Sequence, residues 1–192
     1  MIRQYIHRNL LPTAVFFLIL SLISCKRYVF VDEIRKTDSL ILKINKLSEL
    51  MVIDDEYLKL RSDSIKLRLD CIGRLDSNHM NDELKYDLVT YKGFYQNYTE
   101  FLTAYKSMKY DNQVFQSGLT ELRQNLLKKS ISRKEFEEAY NSFNEAINIH
   151  DSFCRTQINN ILTTEKMYNR VNPRMIELYE KIKKNCTDNI KN

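Results

Sequence analysis

The chain has 192 residues, 43% of them apolar, 29% charged and 11% aromatic, with a formal net charge of +5. That length holds one domain with its own core, and so mild a charge lacks the dense basic stripe of a nucleic-acid binder. Three glycines and two prolines are fewer than a sheet protein of this size needs for its turns, so a mostly helical domain with short connections is predicted.

The first eight residues, Met1-Ile2-Arg3-Gln4-Tyr5-Ile6-His7-Arg8, carry two arginines and no acid. Leu10 to Ile23 is almost wholly apolar. That is the length of a secretory h-region and shorter than the roughly 20 apolar residues that span a bilayer comfortably. Leu22-Ile23-Ser24-Cys25 follows directly. The basic start, the apolar stretch and this tetrapeptide together resemble the lipobox signal of bacterial lipoproteins. The resemblance implies that residues 1–24 are a signal peptide, cleaved before Cys25. It also implies that Cys25 carries diacylglycerol through a thioether and is N-acylated. Several acyl chains make a stable anchor where one binds only marginally. Lys26, in place of an acid, is similar to the pattern that sorts enteric lipoproteins to the outer membrane. Asp32 and Glu33 come too late to resemble a surface-export signal, so the periplasmic face of the outer membrane is the expected location. Residues 25–31 then form a short tether. The competing reading is an uncleaved signal-anchor helix.

Past the tether, a first helix is expected from Asp32 to Ile72. Its apolar residues Ile34, Ile41, Ile44, Leu47, Met51, Leu58, Ile65, Leu69 and Ile72 are separated by multiples of three, four or seven. Asp54-Asp55-Glu56 is a candidate interruption, and Gly73 a candidate C-cap before the polar run Asp76-Ser77-Asn78-His79. Asn81 can cap a second helix, with Asp82 and Glu83 in its first turn. Its seam, Leu84, Leu88, Tyr91, Phe94, Tyr98, Phe101, Tyr105 and Met108, is coiled-coil-like and mostly aromatic, with Tyr95 and Leu102 flanking it. Tyr110-Asp111-Asn112 should close that helix, and a third is expected over residues 113–129 on Leu119, Leu122 and Leu126. Ser132-Arg133-Lys134-Glu135 is a capping box. It opens a fourth helix to about Val171, roughly 50–60 Å long, through Phe136, Tyr140, Phe143, Ile147, His150, Cys154, Ile158 and Ile161. Asn172-Pro173 then restarts the chain as N-cap and first helical residue. A last helix follows through Met175, Ile176, Tyr179 and Ile182. The expected fold is all-α: an elongated antiparallel helical bundle over residues 32–186, with a frayed tail at 187–192.

With Cys25 lipidated, Cys71, Cys154 and Cys186 remain. An oxidising compartment permits one intramolecular pair among them, and the sequence leaves the pairing open. Cys71 and Cys154 fall on apolar faces, while Cys186 lies in a polar tail and reads as the most exposed thiol. His150 and Cys154, four apart on one helix face, are half of a metal site. No second pair is evident, and a hydrogen-bonded seam histidine is the competing reading, so neither metal nor cofactor is expected. Tyr91, Tyr95, Tyr98 and Tyr105 read first as core, then as an interface, then as the wall of an apolar ligand groove. Asp38-Ser39-Leu40 and Asp63-Ser64-Ile65 resemble the Asp-Ser/Thr-apolar sites of a bacterial periplasmic O-glycosylation system. Ser39 and Ser64 are therefore candidate glycan acceptors, against a reading as ordinary helix serines. The basic stretch Arg123 to Lys134 reads as a helix end whose cations offset the dipole, ahead of an anionic-lipid or cell-wall site.

The sequence holds no G-x-S-x-G, no H-E-x-x-H and no Gly-rich phosphate loop. The acid clusters Asp54-Asp55-Glu56 and Glu137-Glu138 read as solvated helix faces. The expectation is a non-enzymatic envelope lipoprotein, a scaffold or accessory subunit of a periplasmic or outer-membrane assembly such as a secretion or transport complex. Its expected partners are the membrane, through the lipid, and another envelope protein, but not nucleic acid. One alternative is a tethered binding module for an apolar ligand or a toxin. The other is a metal or redox sensor built on His150 and Cys154.

Overall fold

The computed structural model describes residues 30–74 and 80–188. The leader, Cys25 and the Asp76–His79 run lie outside the described residues. Four helices account for almost everything described: α1 (Val31–Leu50), α2 (Asp55–Ile72), α3 (Asp82–Lys128) and α4 (Arg133–Asp188). The molecule is an all-α, elongated antiparallel bundle, as the periodicity predicts. With 47 and 56 residues, α3 and α4 are about 70 and 84 Å long. They form one antiparallel hairpin. The third position of the bundle is filled by α1 beside the hairpin's closed end, then by α2 beside its other end.

The polar pairs give the directions. Asp38 meets Arg123 and Ser48 meets Asn112, so α1 runs against α3. Arg61 meets Glu165 and Arg68 meets Asn172, so α2 runs with α4. The offset between partners is 104 residues at both of those contacts and 115 at the Cys71–Cys186 disulfide. Eleven residues are about 16 Å of helix, so α2 and α4 cannot stay side by side in one register beyond Asn172. Pro173 lies at that point, inside α4.

Local chemistry explains the breaks. Asp54 accepts a hydrogen bond from the Tyr57 amide at 2.8 Å, so the acid cluster does interrupt the first helical stretch, by capping α2. Asn81 caps α3 in the same way, accepting from the Leu84 amide at 2.8 Å. The capping box forms reciprocally: the Ser132 amide donates to Glu135 Oε2 at 2.8 Å and the Glu135 amide to Ser132 Oγ at 3.3 Å.

Two expected boundaries are corrected. Tyr110-Asp111-Asn112 does not end a helix, and α3 runs through it to Lys128. The Asn112 amide donates to Ser48 Oγ at 2.6 Å, so its polar group serves α1 rather than a turn. Asn172-Pro173 does not restart the chain, because α4 continues to Asp188. The Asn172 side-chain oxygen, Oδ1, accepts from Arg68 and Tyr91, both at 2.9 Å, and is not free to cap. Gly73 is the C-cap of α2, as expected, with an ordinary right-handed φ of −64°. The left-handed C-cap is instead Lys129, φ 56°, where the Ser130 amide donates back to the Asn125 carbonyl at 3.0 Å.

The core runs the length of the rod. At the closed end Phe30 packs with Leu122, Leu126 and Phe136. Leu40, Ile44, Leu119 and Ile147 follow, and then a long aromatic-rich cluster extends from Leu47 to Met175. Gly118 permits a close approach, since a Cβ there would lie 2.7 Å from Cζ of Phe143. Among the described residues no helix is long and apolar enough to cross a membrane.

Candidate functional site

Tyr91, Tyr98 and Tyr105 recur every seven residues on α3, and all three rings are at most 1% exposed. They are core within this chain and present no outward surface, which corrects the interface reading for these three. Tyr95, one position round the helix, is half-buried and lines a surface groove with Lys59 and Ser62 of α2. Each buried ring spends its hydroxyl on a different segment. Tyr105 donates to the Met51 carbonyl and accepts from the Ile53 amide, holding the α1–α2 connection. Tyr98 donates to Glu165 of α4, whose other oxygen accepts from Arg61 of α2. Tyr91 forms a triangle with Arg68 and Asn172. Burial pushes the Tyr91 phenol up to about 12, against the hydrogen bond from Arg68. Burial raises the Tyr98 phenol too, and its bond to Glu165 adds to the shift. Both are neutral donors at any ordinary pH.

Arg61 lies between two rings, 4.6 Å from the Tyr57 centroid and 4.4 Å from that of Tyr168. This polar ladder was not singled out from the sequence. Its signal is a second heptad beside the apolar one: Arg61 and Arg68 on α2, Glu165 and Asn172 on α4, with Tyr91 and Tyr98 between them.

The three described cysteines divide into one pair and one thiol. Cys71 and Cys186 form a disulfide with Cα atoms 5.7 Å apart, and Cys154 is a buried free thiol. Cys186 is therefore not an exposed thiol, because α4 carries it back against the end of α2. A pocket beside the bridge is lined by Leu67, Arg74 and Tyr179 among others.

His150 and Cys154 do meet, with Sγ 3.5 Å from Nε2, and Phe115 packs on the imidazole at 5.3 Å. Burial pushes the thiol up to about 11, and Asp151 and Asp111 add to that. Burial lowers the His150 pKa against the pull of the same two acids. Among the described residues no group of three or more His, Cys, Asp or Glu gathers about a common point, and His79 lies outside them. The pair is a neutral imidazole beside a protonated thiol.

Ser39 is exposed on α1, while Ser64 is half-buried and donates to the Leu60 carbonyl at 2.8 Å. Asp38, before Ser39, pairs with Arg123 at 2.6 Å. Both triplets lie within helices, not on loops.

The basic stretch forms the tip of the α3–α4 hairpin, with Lys128, Lys129, Arg133 and Lys134 all exposed. Comparison with protein-family models, with curated proteins and with solved structures finds no match.

Proposed function

We propose that this chain is a non-enzymatic lipoprotein of the bacterial envelope, anchored through Cys25, that works as a tethered helical rod in a protein assembly. The observation that carries this is the run Leu22-Ile23-Ser24-Cys25 behind a basic and apolar leader. The Cys71–Cys186 disulfide supports it independently, since such bonds persist in oxidising compartments and are rare in the cytosol. The closed aromatic core favours work done on the outer faces of the rod. The periplasmic face of the outer membrane, and a scaffold or accessory role in a secretion or transport complex, are the finer parts of the proposal. Lys26 behind the cysteine favours the first, and an elongated shape tethered at one end favours the second.

Two measurements test it. Mass spectrometry of the mature protein should find Cys25 at the N-terminus carrying acyl chains. Crosslinking in the native cell should then trap a second envelope protein on the rod. An unprocessed N-terminus would overturn the anchor, and lipidated monomer alone would overturn the scaffold role.

A further inference from the structure

The geometry points to the tip of the α3–α4 hairpin as a membrane-contacting foot, which binds the anionic phospholipid surface of the leaflet that holds the lipid. This rests on the lipid anchor at Cys25.

Phe30 is buried against Leu122, Leu126 and Phe136, the residues that flank the tip. Only four residues separate Cys25 from Phe30, and the five steps from one to the other reach at most about 18 Å even when fully extended. The rod is about 70 Å or more along α3 and α4. The hairpin tip is therefore the end held near the bilayer, and the Cys71–Cys186 end is the distal one.

The chemistry of the tip fits that surface. From Arg123 to Lys134 the chain has five cations and no acid. Offsetting helix dipoles explains only part of this. Lys128 and Lys129 lie at the C-terminus of α3, where cations are favoured, but Arg133 and Lys134 open α4, where they are not. The helix dipole therefore gives no reason for the second pair. Of the nearby acids, Glu135 closes the capping box, while Glu33 lies 3.4 Å from Arg133 and Glu138 lies 3.9 Å from Lys134. The last pair is exposed at both ends, and such pairs are readily exchanged for another anion. Two apolar side chains accompany the cations, Val31 at 56% and Leu127 at 41% exposure. Cations beside exposed aliphatic groups match the headgroup layer, with its phosphates outside and acyl chains beneath.

Lysine acylation footprinting of the intact lipidated protein tests this without any substitution. The protein is reconstituted into vesicles of phosphatidylcholine alone, or of phosphatidylcholine with about one third phosphatidylglycerol. Lys128, Lys129 and Lys134 should react roughly fivefold more slowly on the anionic vesicles, and high salt should remove the difference. Lys92 and Lys181, towards the distal end, should react equally on both. Equal rates at the tip on both vesicles would overturn the foot while leaving the anchor standing. Equal slowing at Lys92 and Lys181 would overturn it too, since the rod would then lie flat. A native protein with no acyl chain on Cys25 would overturn the anchor, and with it the foot.

Discussion

Replacing both Cys71 and Cys186 by serine should cost this bundle much of its stability. The two residues are 115 apart in sequence. Closing a loop of that length removes about 16 cal/mol/K from the unfolded chain, or about 5 kcal/mol at room temperature. A domain of this size unfolds with an entropy near 0.3 kcal/mol/K, so the double variant should melt about 15 °C lower. The double change is preferred to either single one because it leaves no odd thiol to pair elsewhere, and Cys154 is buried. Thermal denaturation followed by circular dichroism at 222 nm (a helix signal) reads the shift, and reduction of the wild-type protein should reproduce it. A double variant melting within about 3 °C of wild type would refute the reasoning. The turns of α4 beyond Pro173 would then open while the rest stayed folded, and the bridge would restrain only that segment.

Gly93→Ala should stabilise α3 by up to about 1 kcal/mol, because nothing lies within 4 Å of the added carbon. Gly118→Ala should destabilise by about 1 kcal/mol despite the same helical gain, because its carbon meets the Phe143 ring at 2.7 Å; urea midpoints of the two variants should move in opposite directions, and Phe143→Leu should relieve the second. Lys129→Gly should raise the urea midpoint by up to about 1 kcal/mol equivalent, since a left-handed residue at φ 56° is strained with a side chain and not without one. For His150, burial lowers the folded pKa below its unfolded value. The unfolded chain therefore takes up the proton first, and stability is lost as pH falls from the unfolded pKa near 6.5 through the folded one. Melting temperatures at about pH 7.5 and about pH 5.5 should differ less in His150→Gln than in wild type; an equal difference would assign the pH response to other groups.

Apolar periodicity made the architecture legible, whereas polar residues were ambiguous wherever they marked boundaries. Asn81 and Ser132 each read as an N-cap and each is one, and the interruption at Asp54 is a cap as well, its side chain accepting from the Tyr57 amide. Asn112 and Asn172 looked like breaks and are not. Each has a partner on another helix, Ser48 for the first and Arg68 with Tyr91 for the second. A side chain that can bond its own backbone or a neighbouring helix takes the one that the tertiary structure supplies. The same ambiguity hid the polar ladder. Arg61 and Arg68 look like solvated charges when α2 is read alone, and Glu165 looks the same on α4. Their shared spacing of seven gains meaning only beside Tyr98 and Tyr91, once α2 is known to run with α4. A salt bridge such as Arg61–Glu165, largely withdrawn from water, contributes little net stability, because desolvation offsets the attraction. What it does is penalise every other register, since sliding α2 by one turn would leave both charges buried and unpaired. An aromatic seam alone would tolerate such slips, because its rings are nearly interchangeable along α3. The ladder therefore fixes the register of α2 as far as Asn172, beyond which α4 departs from that register and brings Cys186 to Cys71.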